Sequence, residues 1–250
     1  MAASNFNLEV DPNLPVVVVG DVHGDIERVF KGLAPYPPER WHTVFLGDLV
    51  DGGPFGIGAL RYARDRPNTT VLLGNHEVAM LWALRDRSHL SSWMGLGGEM
   101  HDLRELEMDR DLEGWMRSRP LLLKLADGTL LQHSDNDNYR KLVGPGEPDV
   151  VAAVNAEGRR LMERGDELVL WDILTPGTVF RTSRRRLEEW LELTGARRLV
   201  HGHKPHGKTR PDTYQYGLVV DFDGGLSRFG RSRYSRQGPI EASVGPIPDW

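Results

Sequence analysis

The feature that most constrains this chain is a unit repeated through its N-terminal third: a short apolar strand, a polar corner containing glycine, then a helix. Val16–Val19 is an unbroken β-branched run ending at Gly20-Asp21, Thr43–Leu46 ends at Gly47-Asp48, and Thr69–Leu73 ends at Gly74-Asn75. Helical patterns follow over Asp25–Leu33, Ile57–Arg66 and His76–Arg87, with Pro35 and Pro67 closing the first two. Strands that are apolar throughout are buried on both faces. Such β-α units build an α/β fold whose ligands bind beyond the carboxyl ends of the strands. The polar corners fall at those ends.

Further along, Leu121–Ala126 and Thr129–Gln132 flank Asp127-Gly128, which predicts a hairpin. Helices are expected over Asp149–Arg164 and around Glu188–Leu193, the latter ending at Gly195. A strand over Arg198–Val200 runs into His201-Gly202-His203. The charged, helical Glu99–Arg117 segment is placed to cap or border a site. From Arg231 onward the chain is rich in Gly, Pro, Ser and Arg and reads as a loose tail. With no internal sequence repeat and no linker, residues 1–250 read as a single domain with a motif core of about 15–221.

The chain has no cysteine, which excludes disulfides, thiolate metal sites and cysteine nucleophiles. A net charge of -5 argues against nucleic acid as the main ligand. The N-terminus lacks a secretory pattern and no apolar run is long enough to span a bilayer, so a cytoplasmic protein with no membrane partner is expected.

Five corners carry metal-type ligands: Gly20-Asp21-Val22-His23, Gly47-Asp48-Leu49-Val50-Asp51, Gly74-Asn75-His76-Glu77, Gln132-His133 and Gly202-His203-Lys204. Carboxylate, imidazole and amide without sulfur suit hard or borderline divalent ions. Singly, each corner reads equally well as a helix cap or a turn; their recurrence after successive strands favours a metal site. Glu77 fits both a first-turn acid favoured by the helix dipole and a catalytic role. Asp25 fits both a second-layer support and a helix N-terminus. His42, His89, His101 and His206 read as ordinary hydrogen-bonded histidines, and His201 as the end of its strand.

The ordered motifs GDVHGD (20–25), GDLVDGG (47–53), GNHE (74–77), His133 and GHK (202–204) resemble those of the calcineurin-like metallophosphoesterases. They look closest to the phosphoprotein phosphatase branch, which includes bacterial protein phosphatases and diadenosine tetraphosphate hydrolases. WMRSRPL at 115–121 resembles that branch too. The resemblance implies a four-layer αββα sandwich, two mixed sheets flanked by helices with metals at one edge. It implies Asp21 and His23 on a first metal, Asp48 bridging, and Asn75, His133 and His203 on a second. His76 is then the general acid, oriented by Asp51. The expected cofactors are two divalent ions, manganese first, with Fe, Zn, Mg, Co or Ni as alternatives.

The implied activity is hydrolysis of a phosphate monoester by a hydroxide bridging the two ions, on a phosphorylated small molecule, nucleotide or phosphoprotein. A dinucleoside polyphosphate or phosphodiester hydrolase is the alternative, and a non-catalytic metal-binding scaffold the third possibility. One departure bears on substrate. The branch usually carries an arginine after the Asp of its second motif to grip the phosphate; here that position is Gly52. Asn75, Arg181, Arg184 (with its neighbours Arg185 and Arg186) and Lys204 are the candidates for phosphate contacts, against the plain alternative of solvated side chains.

Overall fold

The computed structural model describes residues 10–229 and 237–248. Two mixed sheets lie face to face with helices outside them. The first holds β1 (Val16–Val19), β2 (His42–Phe45), β3 (Thr69–Val71) and β9 (Val244–Pro246) in the order β3-β2-β1-β9. The second holds β4 (Leu122–Lys124), β5 (Thr129–Gln132), β6 (Arg198–His201), β7 (Asp212–Tyr214) and β8 (Val219–Asp221) in the order β4-β5-β6-β8-β7. In each sheet three consecutive strands are parallel, β1-β2-β3 and β5-β6-β8, and the outer partners are antiparallel.

The unbroken apolar strands have two buried faces to fill. Val18, Val44, Leu46 and Leu72 meet Leu131, Val200, Val220 and Phe222 between the sheets. Val17, Val19, Phe45 and Val71 point the other way, into the larger core under the helices. That layer includes α1 (Ile26–Leu33) and α2 (Gly56–Asp65) on the first sheet. On the second sheet lie α7 (Val150–Arg164) and α10 (Arg184–Thr194). Buried polar groups fasten this layer: Asn155 Oδ1 accepts from the Leu121 and Leu122 N–H groups, and Trp190 Nε1 donates to Gln132 Oε1 at 2.8 Å.

Two expectations change. Residues 237–248, part of the stretch read as a loose tail, include β9, with Val19 paired to Val244 on the edge of the first sheet. Ala242 and Val244 bury apolar surface there, and Pro246 sits on an edge strand, where proline is tolerated; residues 231–236 and 249–250 lie outside the described residues. The Glu99–Arg117 segment splits into α5 (Met100–Met108) and α6 (Arg110–Arg117), which bury Leu103, Leu106 and Leu112. Asp102 accepts from the Gly56 and Ile57 N–H groups at the start of α2, so the segment braces that helix. None of its residues lines the cleft described below.

Candidate metal and catalytic centre

Both parallel strand sets end on the same side of the sandwich, so their corners converge. Asp21 and His23 follow β1, Asp48 and Asp51 follow β2, and Asn75 and His76 open α3 (Asn75–Arg85) after β3. His133 follows β5 and His203 follows β6. Backbone bonds lace the corners together: Val22 N and His23 N both donate to Asp48 O at 2.9 Å, and Gly202 N donates to His133 O at 2.9 Å. His23, Asp48, Asp51 and His203 all have positive φ, four of the eight non-glycine residues that do among those described. Left-handed backbone in ordinary residues is costly and gathers where a site dictates the geometry.

Glu77 resolves to one role. Its carboxylate accepts from Asp48 N at 2.8 Å, Leu49 N at 2.7 Å, Val50 N at 3.3 Å and Gly74 N at 2.9 Å. It therefore pins the second corner to the start of α3. Gly74 allows this closeness, because a Cβ there would stand 2.2 Å from Asp48 Oδ1.

Ligand atoms of Asp21, Asp48, His133 and His203 lie within 4.8 Å of one another, and so do those of His23, Asp48 and His76. Asn75 Oδ1 is 2.8 Å from His133 Nε2. Three histidines are tethered through their far nitrogens: His23 Nδ1 donates to Val50 O, His133 Nδ1 to Leu46 O, and His203 Nε2 to Thr175 O. A carbonyl can only accept, so the remaining nitrogen of each ring is unprotonated and turned inward, the usual orientation of a metal ligand. Burial favours the neutral form of all three, with His23 lowered to about 4 and His203 to about 3. The donor set fits two divalent cations sharing Asp48.

His76 differs. Its Nδ1 lies 2.9 Å from Asp51 Oδ2, and its Nε2 faces Asp48 Oδ2 at 3.9 Å. Burial pulls its pKa down, but the charges of Asp48 and Asp51 outweigh this and raise it to about 9. It is the imidazole of this centre that carries a second proton and with it a charge. Asp48 itself is held low: burial would raise it, and with the other rings neutral the charged His76 is the neighbour that opposes this.

Asp21, His23, Asp48, His76 and His203 line a cleft of about 1310 Å³, with Asp51, Asn75 and His133 buried behind them. Its walls also contain Met94 and Leu96 on one side, and Arg181, Lys204 and Lys208 on another. Arg181 is already engaged, with Nη1 2.9 Å from Asp212 Oδ2 and its guanidinium 4.0 Å above the Tyr214 ring. Arg184 is not among the cleft residues; it pairs with Glu188 at 2.8 Å and lies over Tyr216. Arg185 pairs with Glu189 and Arg186 with Asp137. Among the described residues Lys204 and Lys208 make no ion pair. Gly52 has φ +80°, a backbone that disfavours any side chain, and its N–H donates to Gly97 O at 2.9 Å.

A comparison with known families decides the membership of the chain, since the family model for calcineurin-like phosphoesterases matches residues 14–217. The chain belongs to the calcineurin-like phosphoesterase family. Among curated relatives, a symmetrical bis(5'-nucleosyl)-tetraphosphatase of Actinobacillus pleuropneumoniae is 31% identical over 124 residues, 47% of this chain and 43% of that one. A serine/threonine-protein phosphatase 1 of Salmonella typhimurium is 38% identical over 86 residues, 34% of this chain and 39% of that one. The chain thus spans about two-fifths of the length of these relatives. A solved cold-active protein-tyrosine phosphatase of a psychrophilic Shewanella species shares the fold, with a TM-score of 0.63 at 17% identity over 94% of this chain and 81% of that one.

Within this calcineurin-like frame, the sequence left Asp223 unmarked. It is buried, lines the cleft and follows β8 just as the others follow their strands. Burial pushes its carboxyl up to about 7; the charge of Asp48 adds to this and the Gly225 N–H opposes it. The run Asp221-Phe222-Asp223-Gly224 after two valines was the available signal. Of the other histidines, His206 also lines the cleft. His42 bonds Thr70 Oγ1 at 2.9 Å, and His101 bonds Pro54 O at 2.9 Å. His89 lies beside Asp86. His201 bonds the Tyr214 hydroxyl at 2.6 Å and is not in the ligand group. Asp25 is bound by Arg228, a structural tie near α1.

Proposed function

We propose that this chain is a metal-dependent phosphatase that hydrolyses a phosphate monoester of a small molecule or nucleotide. The observation that carries the reading is the division of labour among the histidines: three tethered to carbonyls with free inward nitrogens, and one charged against Asp51. Asp21 and His23 would hold one cation and Asn75, His133 and His203 the other, with Asp48 between them; manganese suits this oxygen and imidazole set. When bound, such ions neutralise phosphoryl charge and activate water.

The protein's own groups do the rest. The leaving alkoxide needs a proton, and His76 Nε2 is placed to give one, while Asp51 on Nδ1 fixes the ring and stabilises its charge. The second metal-binding group also counts His76 among its members. A ring held protonated by a buried carboxylate is better suited to donating that proton than to ligating. Lys204 and Lys208 offer the cationic contact that Gly52 cannot, and the exposed Met94 and Leu96 suit an apolar group attached to the phosphate. Hydrolysis of a dinucleoside polyphosphate is the second reading, favoured by the nucleotide-hydrolysing relative and by the cleft's volume of about 1310 Å³.

The test is an activity panel of phosphorylated metabolites, nucleotides, diadenosine tetraphosphate and phosphopeptides with Mn, Fe, Zn, Mg, Co and Ni. Turnover of p-nitrophenyl phosphate with Mn is expected. Inactivity with every metal and substrate overturns the proposal.

A further inference from the structure

Asp51 is held by a second donor besides His76. Its Oδ1 accepts from Trp93 Nε1 at 2.8 Å, and both residues are 1% exposed, so water does not compete. Trp93 lies on α4 (Leu90–Gly95), a short helix whose next turn is also tied to this corner: Gly97 O accepts from Gly52 N at 2.9 Å. One segment thus grips Asp51 by its side chain and its neighbour by the backbone. The His76 ring is bounded on the other side by His23, edge-on at 4.8 Å between centroids.

A carboxylate holding one donor can pivot about its Cβ–Cγ bond; a carboxylate with a donor on each oxygen cannot pivot without breaking one. The indole N–H can only donate, and a buried carboxylate oxygen is an unusually strong partner for it. We propose that Trp93 is a positioning residue: by fixing the plane of Asp51, its indole sets the direction in which His76 presents Nε2 to the leaving oxygen. This rests on the phosphatase reading above. The same segment, α4 and the residue that follows it, places Met94 and Leu96 in the cleft wall, so the anchor of the proton donor and an apolar part of that wall belong to one short stretch of chain.

The experiment compares Trp93→Phe in the wild-type and His76→Asn backgrounds, using aryl phosphates of increasing leaving-group basicity. In the wild-type background kcat on phenyl phosphate falls about tenfold, while the loss on 2,4-dinitrophenyl phosphate stays within about twofold and KM is unchanged. In the His76→Asn background Trp93→Phe has no further effect, because the residue acts through His76. Equal losses in both backgrounds, or a loss independent of leaving group, overturn the role. A second readout needs no activity. In the metal-free wild-type protein, the indole ¹H–¹⁵N signal of Trp93 shifts when Asp51→Asn is introduced; an unmoved signal also overturns it. A wild-type protein inactive on every ester overturns the phosphatase reading together with the role built on it.

Discussion

His133 and His203 turn unprotonated ring nitrogens toward each other across 3.1 Å. Each has spent its proton on a backbone carbonyl, and Asn75 Oδ1 adds a third lone pair 2.8 Å from the same His133 nitrogen. Three acceptors without a donor repel one another in a buried pocket, and a cation among them relieves this.

Substituting either histidine by alanine should therefore cost metal before it costs fold. His133→Ala or His203→Ala is expected to lower bound metal by elemental analysis, with affinity falling by about tenfold or more. Loading should also release protons, because burial, with the charges of Asp223 and Asp48, holds the carboxyl of the ligand Asp21 well above its usual range in the metal-free site. Calorimetric metal titrations in two buffers of different ionisation heat read this directly. Absence of release would count against the cluster as a cation site.

His76→Asn should retain its metal and lose about 10²- to 10⁴-fold in kcat on esters with poor leaving groups. The pH dependence has a definite sign. His76 is raised to about 9, so its acid form is present below that value and lost as pH rises through it. Cations on Asp48 remove part of that lift, which places the alkaline limb of kcat at or below about 9 in the loaded enzyme. The limb should vanish in His76→Asn.

Glu77→Ala should be destabilising. The carboxylate serves four backbone N–H groups, and leaving several of them buried without a partner costs about 3 kcal/mol or more. Thermal unfolding measures it. A melting temperature like that of the wild type would show that the second corner does not depend on this clamp.

Restoring an arginine by Gly52→Arg should not restore a phosphate clamp. The backbone there is left-handed, and a side chain costs about 1–2 kcal/mol before any contact is made. Lys204→Ala, by contrast, is expected to raise KM severalfold with little change in kcat, as loss of a ground-state phosphate contact does. Steady-state kinetics on p-nitrophenyl phosphate distinguishes the two.

The three strand–corner–helix units were legible because each is local. β-branched runs, a glycine, then an acid or amide spell the end of a strand within a few residues, and the structure places all three where that pattern puts them. The less legible parts lack such signals. Strand β8 is three residues long, and Asp223 beyond it went unmarked. Strand β9 is embedded in a glycine- and proline-rich stretch and is a strand only because β1 offers it an open edge. Arg184 sits in a basic run that suggested phosphate binding, yet the glutamate one helical turn later claims it.

By itself the sequence determined which ligand types the chain carries, in which order, and that each stands at the end of a strand. It did so because corner chemistry is written in contiguous residues. Tertiary structure decided which corners meet, and hence which ring nitrogens direct their N–H at a carbonyl and leave the other bare, and which histidine carries a second proton. His203 N reaches Asp21 across 182 residues of chain, and Trp93 reaches Asp51 across 42. No local pattern encodes such partners; they follow from two parallel strand sets ending on one side of a buried interface, where removal from water makes every remaining charge and donor count.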